Sequence, residues 1–160
     1  LHGGAVASAD RQTGLRSVFH HHCAGYVETP WEIESLLRVT DPVLVGLCFD
    51  TGHYRFGGGT DVVQAFRQHR ERIWHVHFKD CNSAVHAYTK LNGWDYFESL
   101  KKSIFCELGN GSVDFHGLVT ELQQMAYDGW IVVEQDVLPG MGAPKDYARR
   151  TREFLRNCGI

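Results

Sequence analysis

Long apolar runs are missing. No stretch of this 160-residue sequence approaches the roughly 20 apolar residues that a membrane-spanning helix needs, so no membrane partner is expected. Basic charge is in no surplus either: sixteen Lys and Arg face nineteen Asp and Glu, a net charge of −3 with His neutral. The basic residues are scattered, which removes the electrostatic ground for a nucleic-acid partner. Five cysteines (Cys23, Cys48, Cys81, Cys106, Cys158) are dispersed and odd in number, and none forms a CxxC pair. A disulfide framework or zinc knuckle is therefore not expected, and free thiols fit a reducing, cytoplasmic compartment. No signal-peptide pattern is visible at the start of the sequence. No GxGxxG follows the first predicted strand, which argues against a dinucleotide. The triplet Gly57–Gly59 lacks the GK[ST] ending of a P-loop and reads as a flexible loop.

What is present is a balanced composition, 43% hydrophobic and 22% charged, with ten histidines. It predicts one domain over residues 1–160 with a core to bury. Strand and helix patterns alternate along it. Residues 2–13 read as a weakly capped helix and Leu15–Phe19 as a short strand. The stretch TPWEIESLLRVT carries a helix signature: Thr29 as N-cap, Pro30 at the first helical position, Glu32 closing a capping box. A strand is predicted over Val43–Phe49, a helix over Asp61–His69 and a strand over Ile73–Phe78. Residues 79–112 form a long excursion with a helix over Trp94–Lys101. A helix over Asp114–Ala126, a strand over Trp130–Glu134 and a helix over Lys145–Arg156 complete the chain.

Four strands alternating with helices predict a parallel sheet with right-handed crossovers. In IWHVHFK, alternation puts His75, His77 and Lys79 on one face and Trp74, Val76 and Phe78 on the other. A polar face on a central strand suits the upper layer of a (β/α)8 barrel better than an open sheet.

Each strand ends in residues able to bind a metal. They are His20–His22 on the first, Asp50 with His53 on the second, His75 and His77 followed by Lys79 and Asp80 on the third, and Glu134 followed by Asp136 on the fourth. In a parallel barrel all strand C-termini share one face. Imidazole and carboxylate ligands from four neighbouring strands suit a divalent ion such as Mn²⁺, Co²⁺, Fe²⁺ or Zn²⁺. Alone, each residue has a plainer reading: Asp50 as a cap, Glu134 as half of an ion pair, Lys79 paired with Asp80 at the barrel rim. Asp80 and Asp136 are read as solvated or supporting groups. His2, His69, His86 and His116 lie away from strand ends. Alternation makes His20 the inward residue of the FHHHC stretch, His22 a substrate contact from the loop, and His21 a bystander facing the helices.

The stretches FHHHCAGYVETP, VGLCFDTGHYRFGGG, RIWHVHFKDC, FCELGNGSVDF and YDGWIVVEQD resemble the sugar phosphate isomerase/epimerase group, the xylose isomerase-like TIM barrels. Within that group the resemblance is greatest to inosose dehydratase-like members. It implies the last four βα units of a (β/α)8 barrel, lacking the N-terminal half, and a metal set of His20, Asp50, His77 and Glu134. His20 stands where many sugar epimerases have Glu. It also implies proton abstraction beside a ketone of a keto sugar or keto-inositol. Glu134 or His53 would act as base, Lys79 would assist, and His22, His53 and Lys79 would contact substrate. Mn²⁺ or Co²⁺ is the first choice of ion, with Zn²⁺, Fe²⁺ or Mg²⁺ as alternatives. A sugar isomerase or epimerase is the second reading, and a non-catalytic metal-binding half-barrel the third. Endonuclease IV-type enzymes share the DxxH and HxxD elements, but the D-x-H pair they need is missing between Asp80 and Gly109. A half-barrel leaves two open edge strands. The chain is read first as a fragment of a longer polypeptide, and otherwise as a half-barrel closed by a second copy or as a decayed gene product.

Overall fold

The computed structural model describes residues 13–160. The helix predicted over 2–13 and His2 therefore lie outside the described residues, Thr13 excepted. Strand β1 (Ser17–His20) leads to α1 (Pro30–Val39), β2 (Val45–Asp50), α2 (Thr51–Phe56) and α3 (Val62–His69). A 3₁₀ turn over Arg70–Arg72 enters β3 (Ile73–Phe78). The excursion holds β4 (Asp80–Cys81), α4 (Ser83–Asn92), α5 (Tyr96–Lys101) and β5 (Phe105–Cys106). Helix α6 (Phe115–Gln124), strand β6 (Ile131–Val133) and helix α7 (Pro144–Cys158) close the chain.

β1, β2, β3 and β6 form one parallel sheet in that order, so each βα unit adds the next strand along the same direction. Local chemistry sets the helix starts. The Thr29 hydroxyl accepts from the Glu32 N–H while Glu32 Oε2 accepts from the Thr29 N–H at 2.8 Å, the predicted reciprocal cap. Asp61 and Asp114 cap α3 and α6 through their side chains alone, accepting from the Gln64 and Gly117 N–H groups.

One face of the sheet meets the helices and holds the core. Leu47 and Phe49 of β2 and Val76 and Phe78 of β3 are fully buried there against Ile33, Phe66 and Leu118. The other face carries Val18, His20, Gly46, Cys48 and Asp50. Among the described residues the strands β1 and β6 end the sheet, and Val18 and Val132 remain more than a third exposed. Among the described residues no helix is long and apolar enough to cross a membrane.

Three differences from the sequence reading have clear physical origins. The register of β2 against β3 shifts between Leu47 and Cys48, so the β3 partners jump from Ile73 to His75. This bulge moves Ile73, not Trp74, into the core with Val76 and Phe78. The Trp74 ring instead lies where a Gly46 Cβ would stand, so only glycine fits there, and Arg16 stacks on it at 3.9 Å. Second, the excursion is more ordered than predicted. α4 is capped by Asn82, stops at Gly93 with φ of +63°, and lies between the antiparallel strands β4 and β5. Third, the DTGHYRF stretch is helical, with Gly57–Gly59 following it.

Candidate metal centre

Asp50 is the last residue of β2 and also the N-cap of α2. Its Oδ1 accepts from the His53 N–H at 2.7 Å, so the cap fixes the carboxylate and aims Oδ2 across the inner face. Oδ2 lies 3.6 Å from His20 Nε2 and 3.7 Å from His77 Nδ1. Glu134 follows β6, and its N–H donates to Phe78 O at 3.0 Å, which extends the pairing with β3. That bond places Glu134 Oε1 2.8 Å from His77 Nδ1. The four groups offer ligand atoms that all lie within 4.8 Å of one another.

Three of those atoms, His20 Nε2, Asp50 Oδ2 and His77 Nδ1, are buried and make no hydrogen bond. His77 Nδ1 is near Glu134 Oε1 yet out of line for a hydrogen bond, so the contact is electrostatic. Buried polar atoms left unpaired are costly. Three such atoms, with Glu134 Oε1 beside them, converging on one point are what a shared cation would satisfy. Burial alone would raise Asp50, but His20 and His77 beside it hold it well below the usual carboxylate range. Asp50, then Cys48 and Glu134, push His77 up to about 11. The His77 ring, with Lys79, lowers Glu134 to about 2. Two imidazoles and two carboxylates fit a divalent ion of intermediate hardness.

Lys79 is almost fully buried and is not paired with Asp80, contrary to the rim reading. Its Nζ lies 2.9 Å from Glu134 Oε2, 3.2 Å from Asp136 Oδ2 and 3.3 Å from His53 Nε2, above the Phe105 ring at 4.6 Å. Burial would lower it, but Asp50, Glu134 and Asp136 outweigh that and raise it, so it is an ammonium at neutral pH. Thr51 fixes its backbone: Thr51 Oγ1 donates to Lys79 O at 2.7 Å and accepts from Lys79 N–H at 2.9 Å.

Asp80 is neither solvated nor beside the ligands. Its two oxygens accept from the N–H groups of Cys81, Val113, Gly109 and Gly111 at 2.8 to 3.1 Å, and so organise the turn before α6. Asp136 is half-buried against Lys79. His53 has no exposed surface. Cys23 N–H donates to its Nδ1 at 3.3 Å, and His22 covers its ring with centroids 3.8 Å apart. Burial lowers His53 to about 3, so it is neutral. His22 is the more accessible of the two, and Tyr96, absent from the sequence reading, flanks both rings. His75 stays outside the four-atom cluster, its ring centroid 5.2 Å from that of His77.

His21 is not a bystander. It is fully buried, packs its ring against Phe49 and Tyr54, and its Nε2 accepts from the Asp50 N–H at 3.2 Å. Burial lowers it to about 4, which keeps it neutral and able to accept. A strand-alternation argument places it away from the ligands but does not show that it reaches around the strand end to the Asp50 backbone.

The family described as xylose isomerase-like TIM barrel matches residues 4–158. An inosose dehydratase of Bacillus thuringiensis (strain Al Hakam) is 38% identical over 146 residues, 91% of this chain and 49% of that protein. One from Geobacillus thermodenitrificans (strain NG80-2) is 34% identical over 150 residues, 93% of this chain and 50% of the relative. The chain thus spans about half the length of these curated relatives. Among solved structures, a probable 3-DHS dehydratase from Bacillus anthracis superposes with a TM-score of 0.71 at 22% identity, covering 96% of this chain and 53% of that one. A D-psicose 3-epimerase from Clostridium cellulolyticum H10 gives 0.68 at 17% identity, covering 96% and 53%. At that identity the structures speak for the fold, and four consecutive parallel strands with their helices are half of an eight-stranded barrel. The chain belongs to the xylose isomerase-like TIM-barrel family.

Proposed function

We propose that this chain carries the metal-binding and proton-transfer half of an enzyme that dehydrates a keto-inositol or a related keto sugar. The observation that supports it most is the convergence of His20, Asp50, His77 and Glu134, with the Lys79 ammonium 2.9 Å from Glu134 Oε2. The four would hold a divalent ion, Mn²⁺ or Co²⁺ first. Bound there, such an ion polarises a substrate carbonyl and acidifies the neighbouring C–H.

The residues divide the remaining work. Glu134 has one oxygen towards His77 and the other towards Lys79. Oε2 accepts the α-proton as the C–H bond breaks, leaving the electron pair in an enolate. Lys79 gives a proton to the β-hydroxyl as its C–O bond breaks, and water departs. Glu134 now holds a proton and Lys79 lacks one. Their contact lets Oε2 return it to Nζ, so the pair resets with net loss of water and no redox change. His53, neutral and buried, positions Lys79. His22 faces the substrate. Isomerisation or epimerisation would use the same base without the leaving group, and an acid poised beside the base favours dehydration.

The substrate partner is a small polyol ketone. Among the described residues β1 and β6 are the end strands of the sheet, where further strands of a barrel would pair. A further four-strand segment of the same polypeptide is the first choice, which matches the length of the relatives, and a second copy of the chain is the alternative.

Elemental analysis after Mn²⁺ or Co²⁺ loading, with turnover of 2-keto-myo-inositol read as ultraviolet absorbance of the conjugated product, tests the reading. One bound ion and measurable dehydration support it. One bound ion without turnover on any inosose or ketose leaves a non-catalytic metal-binding half-barrel. Metal-free, inactive protein overturns it.

A further inference from the structure

Cys48 lies on β2 two residues before Asp50 and on the same face, so its thiol sits roughly 7 Å further down the half-barrel. It is 2% exposed and carries no disulfide. Its lateral neighbours in the sheet are His20 on β1 and His75 on β3. The Cys48 Sγ and ring nitrogens of His20 and His77 lie within 4.8 Å of one another. Two overlapping donor sets therefore share the same two imidazoles. One adds carboxylates from above, the other a thiol from below.

We propose that His20, Cys48 and His77 form a second metal site, selective for soft ions, that competes with the carboxylate centre. Thiolate with two imidazoles suits Zn²⁺, Cd²⁺ or Cu⁺, whereas two carboxylates favour harder ions such as Mn²⁺. Binding breaks the Cys48 S–H bond, forms a sulfur–metal bond and releases one proton to solvent, with no electron transfer. Three protein ligands leave a fourth tetrahedral position open to water. An ion held this way draws His20 and His77 towards Cys48 and takes them from Asp50 and Glu134. Thiophilic ions would then displace the hard ion and silence the centre. The competition rests on the metal reading of the carboxylate set, but soft-ion binding stands without it.

The experiment titrates Cd²⁺ into the protein preloaded with Mn²⁺. It follows the ultraviolet sulfur-to-cadmium charge-transfer band together with released Mn²⁺ by electron paramagnetic resonance. In the wild type the band should grow to one equivalent while Mn²⁺ leaves one for one. Cys48→Ser should lose the band, bind Cd²⁺ at least tenfold more weakly and retain Mn²⁺, which also shows that it folds. Cys48→Ala repeats the test without a hydroxyl at that buried position. Asp50→Asn should lose Mn²⁺ and keep the band. A full-strength band in both Cys48 variants, or Cd²⁺ bound to wild type with no band, overturns the proposal. A Cys48-dependent band in a protein that never binds Mn²⁺ supports this site while overturning the carboxylate one.

Discussion

Lys79 Nζ sits 2.9 Å from Glu134 Oε2, with almost no solvent on the lysine side. An acid and a base in contact can exchange a proton within each turnover. Replacing Lys79 by Gln keeps a hydrogen-bond donor near Glu134 and removes the transferable proton. Turnover of the keto-inositol should fall by about 100-fold or more, while the bound metal measured by elemental analysis stays at the wild-type level. Loss of metal together with activity would instead make Lys79 a support for the ligands.

Asp50 does two jobs with two oxygens, and two substitutions separate them. Asn is a good helix N-cap, so Asp50→Asn should preserve the hydrogen bond to His53 N–H while losing the charged ligand. Bound Mn²⁺ or Co²⁺ should drop sharply with little change in thermal midpoint. Asp50→Ala removes cap and ligand together, and should lose metal and about 1 kcal/mol of stability besides. Equal metal content in both variants and wild type would dismiss the site.

Where a residue's role depends on local pattern, it was readable in the sequence. Thr29, Pro30 and Glu32 announce the start of α1, and alternation along FHHHC and IWHVHFK puts His20 and His77 on the inner face. What escaped depends on contacts distant in the chain or on broken periodicity. Period-two counting cannot see the extra residue that swings Trp74 over Gly46. His21 lies where the strand ends and alternation lapses, and its partner is the backbone 29 residues away. Lys79 and Asp80 are neighbours in sequence, yet the structure sends one to Glu134 and the other to the turn at Gly109–Val113. Cys48 reads in the sequence only as a free thiol, because cysteine spacing along the chain does not show that His20 and His77 lie near it across the sheet.

The four N–H groups around Asp80 set up a sharp stability test. Each carboxylate oxygen accepts two of them: Oδ1 from Cys81 and Val113, Oδ2 from Gly109 and Gly111. In Asp80→Asn one oxygen becomes an NH₂ that faces two donors. Two charge-assisted hydrogen bonds are lost, so about 3–5 kcal/mol should disappear from urea unfolding despite the near-identical shape. A change below about 1 kcal/mol would mean the turn is held by other contacts.

Glu107 and Arg150 tie the end of β5 to α7 through two parallel bonds, Nε to Oε2 at 2.8 Å and Nη2 to Oε1 at 2.6 Å. Arg150 holds the Glu107 carboxyl below its ordinary value of 4.5. A carboxyl depressed in the folded state contributes its stability above the unfolded pKa and loses it as pH falls through the folded one. Wild type should therefore lose stability through this pair on acidification below pH ~4.5, in addition to what other carboxylates contribute. Glu107→Gln removes that part, so its melting temperature should be lower at neutral pH, by the equivalent of about 0.5–1 kcal/mol, and converge with wild type in acid. Melting curves of both proteins across that range decide the matter: a constant gap at every pH would show that Glu107 acts by packing and not by its charge.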